Sequence, residues 1–73
     1  MKKTFKMYDL DCANCAAKME REIRKIPGVI AVNISFMAQK LSLEAEDANF
    51  DKIARLAAAA CKKIDDEVEV ELK

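Results

Sequence analysis

The chain has 73 residues, of which 52% are hydrophobic, 13 are basic and 13 are acidic, and it contains no histidine. A chain of this length forms one small domain, and its balanced charge gives no electrostatic basis for binding nucleic acid. The lack of histidine excludes zinc fingers of the Cys/His type and histidine-based catalysis.

The first half of the chain predicts a strand followed by a helix. Residues 3–10 alternate in polarity, with Phe5 and Met7 on one face, as in a half-buried strand. Apolar side chains then recur at the three- and four-residue steps of an amphipathic helix, at Ala16, Met19, Ile23 and Ile26. Pro27 and Gly28 follow, and this pair predicts where the helix ends.

Two further strands are predicted after this helix. Residues 29–36 form the second strand, and its shared apolar face consists of Ile30, Val32, Ile34 and Phe36. Residues 40–46 form the third strand, which alternates through Leu41, Leu43 and Ala45. A weak turn at residues 37–39 joins the two.

The last third of the chain predicts a second helix and a short final strand. Asp47 or Asn49 is placed to cap the helix, whose apolar face comprises Phe50, Ile53, Ala57, Ala60 and Ile64. Residues 68–72 alternate valine or leucine with glutamate, as in a charged edge strand. The order β-α-β-β-α-β predicts an α+β, ferredoxin-like sandwich with two helices on one face of a four-stranded antiparallel sheet.

The sequence also sets expectations for location. The longest apolar run, residues 56–61, is too short to span a bilayer, and no signal-peptide pattern follows Met1. Three cysteines without such a signal favour a reducing cytoplasm over a disulfide framework. We therefore expect a cytoplasmic, monomeric domain over residues 1–73 that inserts no segment into a membrane.

Cys12 and Cys15 are the candidate functional residues. Their spacing places Cys12 on the loop and Cys15 in the first helical turn, so that both sulfurs can face one side. The free N–H groups and partial positive charge of a helix start favour thiolate over thiol. Thiolates bind soft metals and attack disulfides, so metal binding and dithiol redox catalysis are both open at this point.

The identity of a bound metal depends on what joins the two sulfurs. A structural zinc site needs four closed ligands, which this sequence does not offer. Two thiolates alone suit Cu(I), whereas an added carboxylate shifts the preference toward Zn(II), Cd(II) or Pb(II). Asp11 is the obvious carboxylate and Asp9 a weaker one, although a loop aspartate can equally bond to local N–H groups.

Residues 10–20, Leu-Asp-Cys-Ala-Asn-Cys-Ala-Ala-Lys-Met-Glu, together with the later Pro27-Gly28-Val29, resemble the heavy-metal-associated domain family. The resemblance covers essentially the whole chain. It implies a ferredoxin-like fold in which Cys12 and Cys15 bind metal near the surface. Domains of this family occur as small copper chaperones and as N-terminal domains of metal-transporting P-type ATPases.

The Asp11-to-Cys15 motif resembles zinc, cadmium and lead ATPases, whose matching aspartate joins the metal. Copper members usually carry Gly-Met where this chain has Asp9 and Leu10, and residues 61–68 lack the Gly-Tyr often seen in bacterial copper members. The resemblance thus implies a non-enzymatic metal-transfer domain of a Zn(II)/Cd(II)/Pb(II) efflux ATPase, with the parent's catalytic and membrane domains beyond residue 73. The alternatives are a Cu(I) chaperone or copper ATPase domain and, third, a small dithiol oxidoreductase.

Two more residues are assigned with the help of this resemblance. Leu10 would take the place of the family methionine and pack beneath the metal loop. Cys61 lies near the end of the second helix, which approaches that loop in this fold, so it is either a third thiolate ligand or a small buried core residue.

Overall fold

Strands and helices follow one another in the predicted order in this computed structural model, which describes residues 1–72. The elements are β1 (Lys2–Tyr8), α1 (Ala13–Arg24), β2 (Val29–Ser35), β3 (Lys40–Ala45), a single 3-10 turn (Asp47–Asn49), α2 (Phe50–Ile64) and β4 (Glu69–Val70).

The sheet has the order β2-β3-β1-β4, and each neighbouring pair is antiparallel. The predicted ferredoxin-like βαββαβ sandwich is therefore confirmed. Because β3 lies beside β1, the turn between β2 and β3 is adjacent to the end of β1, where the cysteine loop begins.

Strand β4 lies at the sheet edge as predicted, but it is shorter than the predicted residues 68–72. The N–H of Val68 donates to the Asp65 carbonyl at 3.2 Å and so closes a turn instead of joining the sheet. Pairing with β1 is confined to Glu69 and Val70, with one more hydrogen bond from the Glu71 N–H to the Lys6 carbonyl at 2.8 Å.

One face of the sheet and the inner faces of both helices enclose the core. Every predicted apolar position of β1 and β3 is buried there, and so are Met19 and Ile23 of α1. The largest side chains with less than 2% exposure are Met19, Ile23, Leu41, Leu43, Val68 and Cys61. The alternation of polar and apolar residues in the strands therefore predicted the buried face of the sheet. The helical periodicity predicted the helix faces that pack against it.

Ile30 is an exception, since its side chain is 64% exposed and its predicted place on the buried face of β2 is wrong. Val29 pairs with Ala45 and Ala31 pairs with Glu44, so Ile30 is an extra residue in a β-bulge. The bulge reverses the alternation, and Val29 packs against the core in place of Ile30.

Gly28 ends the connection from α1 to β2, as the sequence predicts. Its φ is +95°, and a Cβ at this position would lie 2.7 Å from Cδ1 of Ile53 in α2. The positive φ is what requires glycine here, and a Cβ would also force the end of the Ile53 side chain to shift. At the start of α2, Asn49 occupies the N-cap position, but its side chain makes no capping hydrogen bond.

Candidate metal centre

The loop between β1 and α1 turns sharply outward around a buried leucine. Asp9 has a φ of +63°, in the left-handed region, and Leu10 is only 3% exposed. The Leu10 side chain thus packs beneath the loop, as predicted, while the neighbouring Asp9 and Asp11 are exposed. This arrangement presents residues 11–15 at the end of the sandwich.

Cys12 is the N-cap of α1, and Cys15 lies in its first turn, as predicted. The backbone N–H of Cys15 donates to Sγ of Cys12 at 3.2 Å, and the N–H of Ala16 donates to the Cys12 carbonyl at 3.1 Å. The sulfur therefore does what a serine or aspartate oxygen does at other helix starts. Both cysteines are free and partly exposed, so their sulfurs are accessible to a metal ion.

The pKa values of the two thiols are shifted in opposite directions. A hydrogen bond from the Cys15 thiol, aided by the Cys15 N–H, lowers the pKa of Cys12, and the charge of Asp11 opposes this effect. Donating that hydrogen bond raises the pKa of Cys15, and desolvation adds to the rise. The helix start was expected to favour the thiolate generally, but only the pKa of Cys12 is lowered.

The structure places the other candidate ligands differently. Asp11 is exposed beside Cys12, and Asp9 is exposed at the start of the loop. Within residues 1–72, no three Cys, Asp or Glu side chains form a ready-made metal-ligand cluster. Cys61 is fully buried, and burial raises the pKa of its thiol to about 11. Cys12 and Cys15 are thus brought together, while a carboxylate ligand would have to move inward.

These acidities predict the order in which the cysteines are alkylated. At neutral pH iodoacetamide should modify Cys12 first and Cys15 more slowly, since the lower pKa gives Cys12 more thiolate. Cys61 should react last, because its thiol is reached only when the core opens. Peptide mass spectrometry of timed samples measures this order, and denatured protein, in which all three react alike, is the control. Labelling of Cys61 as fast as Cys12 in the folded protein would contradict the assignment.

Gln39 also contacts the cysteine loop, and the sequence analysis did not identify it. It lies in the turn between β2 and β3 and has a φ of +54°. Its side-chain amide bonds to both backbone groups of Leu10. One signal in the sequence could have identified it. The turn at residues 37–39 contains no glycine, so a residue with a longer side chain has to adopt a backbone conformation that glycine usually takes.

A ferredoxin-like sandwich that presents two accessible thiols at the start of its first helix offers ligands of the kind that soft metal ions prefer. The model of the heavy-metal-associated domain matches residues 4–70, so the chain belongs to that family of metal-binding domains. The resemblance seen in residues 10–20 is thereby confirmed.

Relatives transport different metals. The chain is 36% identical over 44 residues, 60% of its length, to a zinc/cadmium/lead-transporting P-type ATPase of Escherichia coli. It is 29% identical over 52 residues, 71% of its length, to a probable copper-importing P-type ATPase A of Enterococcus hirae. These matches cover only 6% and 7% of the two relatives.

A solved structure has the same fold. The N-terminal domain of a potential copper-translocating P-type ATPase from Bacillus subtilis, in the Cu(I)-loaded state, superposes with a TM-score of 0.78 at 24% identity. The superposition covers 99% of this chain and 85% of that one. Neither helix within residues 1–72 is long and apolar enough to cross a membrane.

Proposed function

We propose that the domain binds and passes on Zn(II), Cd(II) or Pb(II) as part of a P-type ATPase that exports these ions. Cys12 and Cys15 supply two thiolates, and Asp11 supplies a carboxylate oxygen. The observation that carries the proposal is the accessible Cys12–Cys15 pair with an exposed carboxylate at the adjacent residue, Asp11. In this context the domain lies on the cytoplasmic side of the membrane and exchanges ions with the transport domain or with a metallochaperone.

The electrostatics of the site support ion exchange. The pKa of Cys12 is lowered, which favours its thiolate, and a bound cation would release the thiol proton of Cys15 to solvent so that Cys15 becomes the second ligand. An accessible site with few ligands lets the thiolate of a partner attack before the first ligands have left. Such a site suits cargo that must be released better than a closed structural site does.

Asp11 favours a divalent ion. It is exposed next to Cys12 and its charge acts on that thiol, which supports a carboxylate oxygen as the third ligand of a bound cation. Two thiolates and a carboxylate carry three negative charges, which suits a divalent borderline ion better than Cu(I). The E. coli relative, which transports zinc, cadmium and lead, supports the same choice.

A Cu(I) chaperone or copper ATPase domain is the second candidate. It is favoured by the copper-importing relative and by the two-sulfur geometry, which needs no movement of Asp11. We do not propose a dithiol oxidoreductase, since the family to which the chain belongs is one of metal-binding domains.

The experiment that separates the two candidates is a competition titration of the reduced protein with Zn(II), Cd(II), Pb(II) and Cu(I). It should be repeated on Asp11→Asn and on the matched control Asp9→Asn, which removes the same charge from the same exposed loop. We expect Asp11→Asn to weaken Zn(II) and Cd(II) binding about tenfold, the effect of one lost charged ligand, while Cu(I) binding changes little. Asp9→Asn should leave every affinity nearly unchanged.

The other outcomes assign the site differently. Equal divalent affinities in Asp11→Asn and the wild type would make Asp11 a loop residue. A loss confined to Asp9→Asn would make Asp9 the oxygen ligand. Tight Cu(I) binding with weak divalent binding in all three proteins would favour the copper function.

A further inference from the structure

The side chain of Gln39 forms a bridge between two loops. Its Oε1 accepts a hydrogen bond from the Leu10 N–H at 3.0 Å, and its Nε2 donates to the Leu10 carbonyl. The same Nε2 donates to the Phe36 carbonyl at 2.9 Å, within its own turn. One half-buried amide therefore satisfies both backbone groups of a residue in the cysteine loop.

This bridge continues the sheet past its last backbone pair. The ladder between β1 and β3 ends at Lys6 and Lys40, after which the Met7 N–H donates to the Gln39 carbonyl at 2.8 Å. The left-handed turn at Asp9 then redirects the chain, and at Leu10 the Gln39 side chain takes over as hydrogen-bonding partner.

The chemistry of this position is selective. Backbone groups beside a buried side chain need hydrogen-bonding partners, and a carboxamide is a neutral side-chain group that offers a donor and an acceptor together, as a peptide does. Gln39 does this while its own φ of +54° lies where non-glycine residues are uncommon. If only the turn conformation mattered, glycine or asparagine would be expected at this position. The hydrogen bonds to Leu10 explain why the residue is glutamine.

We infer that Gln39 is a positioning residue that holds the metal loop in its binding shape; this inference rests on the proposed function. Both peptide groups of Leu10 are fixed by Gln39, and Cys12 is fixed by α1, so Asp11 is the single link between two anchored points. A loop held in this way has less freedom to lose when a cation binds. Gln39 should therefore increase metal affinity without touching the metal.

The test compares Gln39→Gly with the wild type. Glycine is favoured at a positive φ, so this variant removes the side-chain bridge while relieving the backbone, and its stability is not expected to collapse. Gln39→Asn is the second variant, because asparagine also accepts this φ but is one methylene too short to keep both bonds. Ser35→Ala is the control: it removes the Ser35 Oγ bond to the Ala38 N–H at 3.2 Å from the same turn and leaves Leu10 untouched.

Three quantities are measured on each protein: amide exchange at Leu10, Cd(II) affinity, and the rate of Cd(II) release to a chelator. In both Gln39 variants we expect Leu10 exchange to rise about tenfold or more and Cd(II) affinity to fall roughly three- to thirtyfold, mainly through faster release. Ser35→Ala should match the wild type in all three quantities. A general loss of turn stability would instead affect Ser35→Ala and the Gln39 variants alike.

Unchanged Cd(II) affinity in Gln39→Gly and Gln39→Asn would overturn the inference, whether or not the Leu10 amide exchanges faster. An equal loss in Ser35→Ala would also overturn it, because turn stability would then explain the effect. If the wild-type protein itself fails to bind Cd(II), the proposed function fails, and this result is distinct from equal binding by the wild type and the variants.

Discussion

Replacing Cys12 with serine is expected to lower the affinity for Cd(II) by about a hundredfold or more, the loss of one strong thiolate ligand. Cys12 has the lower pKa of the pair, so in the proposed function it offers more thiolate to an incoming cation than Cys15 does. Cys15→Ser should cause a loss of the same order, because a single thiolate then remains in the loop.

Serine is an informative substitute at position 12 because Cys12 also caps α1. Its sulfur accepts the N–H of Cys15 at 3.2 Å, and a serine oxygen is a favourable partner for the same donor. The helix start should therefore persist, and far-ultraviolet circular dichroism should match that of the wild type. A drop in affinity in a folded Cys12→Ser protein then reports on coordination alone.

Cys61→Ala is the matched control, since it also removes one thiol. Cys61 is fully buried, and we expect its removal to reduce stability slightly and to leave Cd(II) affinity and thiolate-to-metal absorption unchanged. Reduced absorption in Cys61→Ala would make this residue a third ligand. Undiminished binding in Cys12→Ser would contradict the proposed site.

The sequence was sufficient for the fold because local and global signals agree in this small chain. Phe5 and Met7 alternate with polar residues and are buried, and Met19 and Ile23 follow the helical period and are buried in the same core. The positions of the two cysteines were also predictable. The loop meets the helix at residue 12, so Cys12 takes the N-cap position and Cys15 lies in the first turn.

Interactions between distant segments were not predictable in the same way. The exposure of Ile30 depends on a bulge that is set by how β2 pairs with β3, and simple alternation cannot show an extra residue. Gln39 is separated from Leu10 by 29 positions, and only the strand order brings its turn to the cysteine loop. The opposite shifts in the pKa values of Cys12 and Cys15 depend in the same way on atomic geometry.

These features divide the domain into a stable body and a presented loop. The sheet and helices hold Leu10 and the start of α1 in place, while Asp11, Cys12 and Cys15 remain accessible at the end of the sandwich. A cation bound to this loop should stabilise the folded chain, because the unfolded chain has no preformed site. Metal binding and folding are therefore thermodynamically linked.

The Leu43→Ala variant should make the linkage between metal binding and folding measurable. Leu43 is fully buried in β3, paired with Lys3 on one side and Val32 on the other. Truncating a buried leucine costs about 2–5 kcal/mol, and a core of this size supplies only about 3–5 kcal/mol. We expect the metal-free variant to be largely unfolded at 25 °C by circular dichroism. The same change at Leu56, which is 45% exposed, should have little effect.

Cd(II) should refold the Leu43→Ala protein. A ligand at a thousand times its dissociation constant stabilises the folded state by about 4 kcal/mol, which is close to the expected loss, although binding to the unfolded chain reduces the gain. At the Cd(II) concentration that refolds Leu43→Ala, a protein that carries both Leu43→Ala and Cys12→Ser should remain largely unfolded, because a hundredfold weaker site contributes only about 1.4 kcal/mol. Equal refolding of that double variant at the same Cd(II) concentration would show that the stabilising ion binds elsewhere, and a wild-type melting curve for Leu43→Ala would contradict the place of Leu43 in the core.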